Sequence, residues 1–190
     1  MSGKADVEIR RANTAEVAMI ARWRRETAQW LASIGSDQWS EKGLSAARFE
    51  ERVAASVAAG ETWIAEVDER PAATIAIDEH TDSWLWTPAE QAECVIVHRM
   101  ITDRRNRHRG LGSLLLDHAE MIARQRGKAF VRLDAWTSNT RLHDYYRAAG
   151  FRFVRIADPQ RPSAALFERP VSDAQGDQQV TDGVVKELTY

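Results

Sequence analysis

Arg107-His108-Arg109-Gly110-Leu111-Gly112-Ser113 sets three basic-type side chains and two glycines ahead of an apolar repeat at Leu115, Ala119, Ile122 and Ala123. That repeat is helical and is closed by Gly127. Glycines let a backbone approach a ligand closely, and the first amides of a helix have no intrahelical partner. With the partial positive charge of a helix start, the combination suits an anion and reads as a pyrophosphate cradle. It is not a Walker loop, since no Gly-Lys-Ser/Thr follows, and it lacks the third glycine of the dinucleotide fingerprint. A second stretch follows: an apolar run from Phe130 to Trp136, then Asn139, the pair Tyr145-Tyr146 and Gly150-Phe151.

Together the two stretches resemble the GNAT superfamily of N-acetyltransferases. Its Gln/Arg-x-x-Gly-x-Gly/Ala motif is matched by Arg107, Gly110 and Gly112. Its second signature, an Asn and then a Tyr four residues before Gly-Phe, is matched by Asn139, Tyr146, Gly150 and Phe151. The match is specific from about Val95 to Phe151. It implies a mixed α/β fold: a twisted, mostly antiparallel sheet with helices on both faces and a splayed central parallel pair of strands. It also implies acetyl-CoA as cofactor and direct transfer to an amine in a ternary complex. By position, Arg107, His108, Arg109, Gly110, Leu111, Gly112 and Ser113 would take the pyrophosphate, Met100 and Thr102 would pair with the pantetheine arm, Asn139 would fix it, and Tyr146 would be the general acid.

Three groups compete as general base: Glu93 at the start of the central strand, His98 within it and Asp134 on the neighbouring strand. Glu93 is preferred, because some members of the superfamily carry a carboxylate there. Strict alternation puts Glu93, Val95, Val97 and Arg99 on one face and Cys94, Ile96 and His98 on the other, and a bulge would change that order. The same resemblance has the first two helices and the loop before the central strand wall the acceptor. Candidates there are Trp39, Trp84 and Trp86, with Asp37, Glu41 and Asp78, an aromatic cleft suited to a cationic amine. Trp23 and Trp30, two turns apart on one helix, read as core. Cys94, the only cysteine, reads as a small core residue, so no internal disulfide is expected and a reducing cytoplasm fits. No metal is expected from the spacing of the five histidines.

The elements that must position these residues follow from periodicity. Val7 to Arg10 alternates as an opening strand, Asn13 with Glu16 forms a capping box, and a helix runs from about Val17 to Gly35. A second helix starts near Ser45 with Phe49, Val53 and Val57 on one stripe. Thr62–Val67 and Ala73–Ile77 flank a polar turn as a hairpin, and His80 to Gln91 is a long connection. Two closing strands, 152–156 and 165–167, complete a single domain over residues 1–170. A polar tail, 171–190, could end in an edge strand from Val184. A net charge of −2 gives no reason to expect nucleic acid as a partner. No apolar run suits a membrane and Met1-Ser2-Gly3-Lys4 opens no signal peptide. The expected partner is a small-molecule primary amine, such as a metabolite or antibiotic, taken up by a monomer or homodimer. A non-catalytic acyl-CoA sensor is the rival reading, and a different acyl donor or bond-forming reaction is a third.

Overall fold

The computed structural model describes residues 6–39 and 45–172. Glu41 and the edge strand considered from Val184 lie outside them. Among the described residues seven strands form one sheet in the order β1-β2-β3-β4-β5-β7-β6. They are β1 (Val7–Arg11), β2 (Thr62–Val67), β3 (Arg70–Asp78), β4 (Cys94–Thr102), β5 (Phe130–Trp136), β6 (Arg152–Ile156) and β7 (Ser163–Pro170). The helices are α1 (Val17–Ser33), α2 (Ala46–Ala58), α3 (Pro88–Ala92), α4 (Leu111–Gln125) and α5 (Thr140–Ala148). All pairings are antiparallel except β4 with β5. The mixed α/β layout read from the sequence holds.

Local signals set most boundaries. Asn13 and Glu16 form the reciprocal capping box ahead of α1, and Ser45 caps α2 through the Arg48 amide. Two differences have physical causes. The hairpin turn is only Asp68-Glu69, both left-handed (φ 50° and 63°), so β3 begins at Arg70, earlier than the sequence suggests. The long connection holds α3, whose capping box, Thr87 with Glu90 and Pro88 at the first turn, is hard to see in sequence because the helix is five residues long.

The sheet separates its helices. α4 and α5 cover one face, where Leu111, Leu115, Leu116, Ala119 and Ile122 meet Ile75, Val95, Val97, Val131 and Leu133. α1 and α2 cover the other through Ile20, Trp23, Phe49, Val53 and Val57 over Ile64 and Ile101. Full burial of such a side chain is worth about 1.5–3 kcal/mol. Further along that face, Leu85 and Trp86 pack on Cys94, Ile96 and Leu166. Cys94 is fully buried, and burial pushes its thiol above the ordinary value despite the nearby Arg132 charge, so it is a core residue as expected.

Two irregularities of β4 make the site. Its parallel pairing with β5 runs only from Cys94↔Phe130 to Val97↔Leu133, after which the two strands part. Against β3 the register slips, so that Arg99 and Met100 together oppose Ile75. Arg99 takes a left-handed φ of 49° at this bulge. Such a backbone costs on the order of 1–3 kcal/mol and persists because both flanks are paired. The slip resets the alternation: Ile101 packs under α1 and α2, whereas Met100 packs toward α4.

Candidate functional site

Beyond Val97, the edge of β4 facing β5 carries no ladder partner, and neither does β5 beyond Leu133 on that side. The gap opens at one end onto a basic cavity of about 560 Å³. Its lining is Met100, Thr102, Asn106, Arg107, His108, Arg109, Gly110, Leu111, Gly112, Ser113 and Tyr145. Every cradle residue inferred from the sequence is therefore assembled there, together with Asn106 and Tyr145, which the motif does not single out.

The loop sorts its own cations. Buried Asp103 caps the turn Arg104–Asn106 and binds the Arg105 guanidinium (2.8 Å), and Arg104 lies over the Trp30 ring at 4.2 Å. Burial pushes the Asp103 carboxyl up, but the Arg105 side chain and amide outweigh it and keep it ionised below its usual range. Arg107, His108 and Arg109 are exposed at the cavity. Gly110 has φ 72°, which turns the chain directly into α4. At Gly112 a Cβ would stand 2.2 Å from the Tyr145 hydroxyl, so only glycine leaves room for this packing. Tyr145 also hydrogen-bonds with Ser113.

At the other end the gap widens into a cleft of about 1320 Å³. α1, α2 and their connection form one wall, the His80–Leu85 segment another, and β5 with the start of α5 a third. Met100, Thr102 and Tyr145 line both spaces, which therefore adjoin. Asn139 caps α5 at the Leu142 amide (3.0 Å) and donates through Nδ2 to Gln38 at 2.5 Å. Asp37 accepts from Trp136 Nε1 (3.0 Å) and Ser138 Oγ (2.6 Å). These bonds tie the end of α1 to the β5–α5 junction. Tyr146 lies on the cleft, only 7% exposed, with its ring against Phe151 and Phe167. Burial, with the charge of Asp134 nearby, pushes its phenol far up, so it stays protonated.

Three expectations are corrected. Glu93 is not brought to the gap: it is the exposed C-cap of α3, at the far end of β4 from the splay. Five residues of strand, about 16 Å, separate it from His98, too far for proton transfer to the same site. Trp86 is 1% exposed, stacked between core residues and the guanidinium groups of Arg132 and Arg155, and does not line the cleft. Trp30, assigned to the core, is 38% exposed and lines it, whereas Trp23 is core as expected. Trp39 and Trp84 do line the cleft.

His98, within β4, does line the cleft. Its Nε2 lies 3.2 Å from Asp78 Oδ1 and 3.0 Å from the His80 carbonyl. A carboxylate and a carbonyl accept only, so Nε2 carries the hydrogen and Nδ1 holds the lone pair. Burial pushes the Asp78 carboxyl up, but the His98 hydrogen bond, the His80 amide and the charge of Arg99 outweigh it, and Asp78 stays ionised. The pair is invisible in sequence because it depends on the β3–β4 register. Among the described residues no group of acids, histidines or cysteines could share a metal, and no helix is long and apolar enough to cross a membrane.

A splayed parallel pair with an anion cradle at one mouth and a walled cleft at the other defines an acyltransferase. The chain belongs to the acetyltransferase (GNAT) family, whose model matches residues 20–151. It is 31% identical over 131 residues, 67% of this chain and 72% of the other, to the uncharacterized N-acetyltransferase YesJ of Bacillus subtilis (strain 168). Among solved structures it resembles a GNAT-family acetyltransferase from Listeria monocytogenes, with TM-score 0.71 and 23% identity over 90% of this chain and 98% of that one. It also resembles the PaiA N-acetyltransferase from Thermoplasma acidophilum in complex with coenzyme A, with TM-score 0.67 and 19% identity over 87% and 99%. These two likenesses concern the fold.

Proposed function

We propose that this acetyltransferase moves an acetyl group from acetyl-CoA directly to a primary amine of a small molecule, with both substrates bound at once. The observation that carries this is the adjoining of the two cavities at Met100 and Thr102 on the open edge of β4 and at Tyr145 of α5. The cradle fits the cofactor: the first-turn amides of α4 lack intrahelical carbonyls, and the bare Gly112 lets Tyr145 pack against the start of that helix. Arg107 through Ser113 would hold the pyrophosphate, and the unpaired edge at Met100 and Thr102 would take the pantetheine amides as an added strand. Bound there, acetyl-CoA supplies an activated thioester.

The chain's own groups supply the rest. His98 Nδ1 takes a proton from the attacking nitrogen, and Asp78 holds the ring and offsets the charge it gains. The Tyr146 hydroxyl, which makes no hydrogen bond among the described residues, gives its proton to the departing sulfur as the C–S bond breaks. Measuring coenzyme A release against a panel of amines tests the reading. Amine-dependent release is expected, and binding of acetyl-CoA without it would make the chain a sensor.

The two tyrosines separate the roles further. Tyr146→Phe is expected to lower kcat roughly ten- to a thousand-fold with coenzyme A affinity kept, the usual scale for one acid contact. Tyr145, which sequence alone treats as a bystander, meets Gly112 and Ser113 instead. Tyr145→Phe should therefore alter coenzyme A affinity a few-fold and leave kcat close to wild type. Calorimetry beside steady-state kinetics distinguishes them, and the reverse pattern would exchange the assignments.

A further inference from the structure

The cleft is lined by four aspartates, and most of their capacity is already used inside the protein. Asp78 accepts from His98 and the His80 amide, Asp37 from Trp136 and Ser138, and Asp134 from the Ser163 hydroxyl (2.5 Å). Only Asp82 stands outside these bonds, exposed at the rim. The cations differ. Arg99 lines the cleft at the bulge beside His98, largely covered, with no hydrogen bond and no ion pair among the described residues. Asp78 and Glu61 act on it electrostatically without pairing, and Arg52 of α2, also on the cleft, adds a like charge.

A guanidinium held out of water without a carboxylate or carbonyl partner is costly, and its planar fork is shaped for an oxyanion. The bulge maintains a strained backbone at the residue that carries it. Burial pulls the Arg99 guanidinium below its ordinary value, with Asp78 opposing. A cationic polyamine would meet carboxylates that are already engaged and arginines that repel it. The aromatic cleft for a cation suggested by the tryptophans is thus outweighed by charge: Arg104 and Arg161 themselves occupy the rings of Trp30 and Trp84.

We infer that the acceptor is a small amine that also bears a carboxylate, with the carboxylate bound by Arg99 and the amine presented to the neighbouring His98. Adjacent strand positions serve the two groups, so both belong to one compact molecule. The inference rests on the acetyltransferase reading above and names its substrate class.

The test uses the full-length protein with acetyl-CoA and a panel of the protein amino acids, each beside its carboxamide and its decarboxylated amine. Wild type is expected to favour at least one free acid over its two neutral-tail counterparts by about a hundred-fold in kcat/KM. Arg99→Gln should erase that preference mainly by raising KM for the acid, with coenzyme A affinity by calorimetry unchanged as evidence of folding. Arg99→Lys should restore part of it. Turnover of carboxamides or decarboxylated amines equal to or better than the acids would overturn the inference while leaving the enzyme an N-acetyltransferase. So would an acid preference that survives in Arg99→Gln. Coenzyme A binding with no release for any member of the panel would overturn the acetyltransferase reading and the inference with it.

Discussion

Gly112→Asp should abolish coenzyme A binding, weakening it by about a thousand-fold or more while the protein stays folded. Two effects add. The new Cβ would lie 2.2 Å from the Tyr145 hydroxyl and 3.3 Å from its Cζ, so the phenol must leave its place over the cradle. The carboxylate would then face the first-turn amides of α4, which it can bind in place of a phosphate, and would repel any phosphate brought near. Gly112→Ala carries the steric effect without the charge and should cost about ten-fold, since the atom met is the mobile end of a side chain. Gly110→Ala is the contrasting control. Nothing lies within 4 Å of a Cβ there, but φ is 72°, so the loss should appear as about 1–2 kcal/mol of stability in thermal denaturation. Calorimetric titration with coenzyme A decides the matter: unchanged affinity in a folded Gly112→Asp protein would remove the cradle from this loop.

That loop is legible in sequence because its chemistry is local. A helix start, two glycines and a basic run within seven residues carry their own geometry, and Arg107 through Ser113 assemble as the spacing implies. Asn139 is legible for the same reason, as a cap four residues ahead of His143 on a short helix. The failures are those of register. Glu93, just ahead of β4, and His98, within it, stand five residues apart, and which of them meets the gap depends on where β4 leaves β5, after Val97, and on the slip at Arg99. Neither event has a glycine or proline to announce it. The tryptophans fail similarly: Trp30 and Trp86 exchange surface and core because α1 ends over the cleft, while α3 turns the segment after Trp86 back onto the sheet. Periodicity identifies an apolar face without saying whether a helix or a cavity lies opposite it. Asp78 and His98, twenty residues apart, become a pair only through β3–β4 hydrogen bonding, and no spacing rule connects them.

His98→Gln is the expected counterpart on the acceptor side. The amide nitrogen of glutamine reaches about as far as Nε2 of histidine, so it can still donate to Asp78 Oδ1 and the His80 carbonyl, and the fold has no reason to change. What disappears is the lone pair on the opposite ring nitrogen. Turnover should fall by about a hundred- to a thousand-fold with coenzyme A affinity unaltered, the scale of one general base. Asp78→Asn keeps an acceptor for Nε2 but not the charge that offsets a protonated ring, and should lower turnover about ten-fold. Asp134→Asn provides the decisive comparison. Asp134 also lines the cleft, from the opposite strand, although Ser163 holds one of its oxygens. If kcat falls about a hundred-fold or more in Asp134→Asn and is kept in His98→Gln, the base lies on β5 and the β4 histidine does not take the proton.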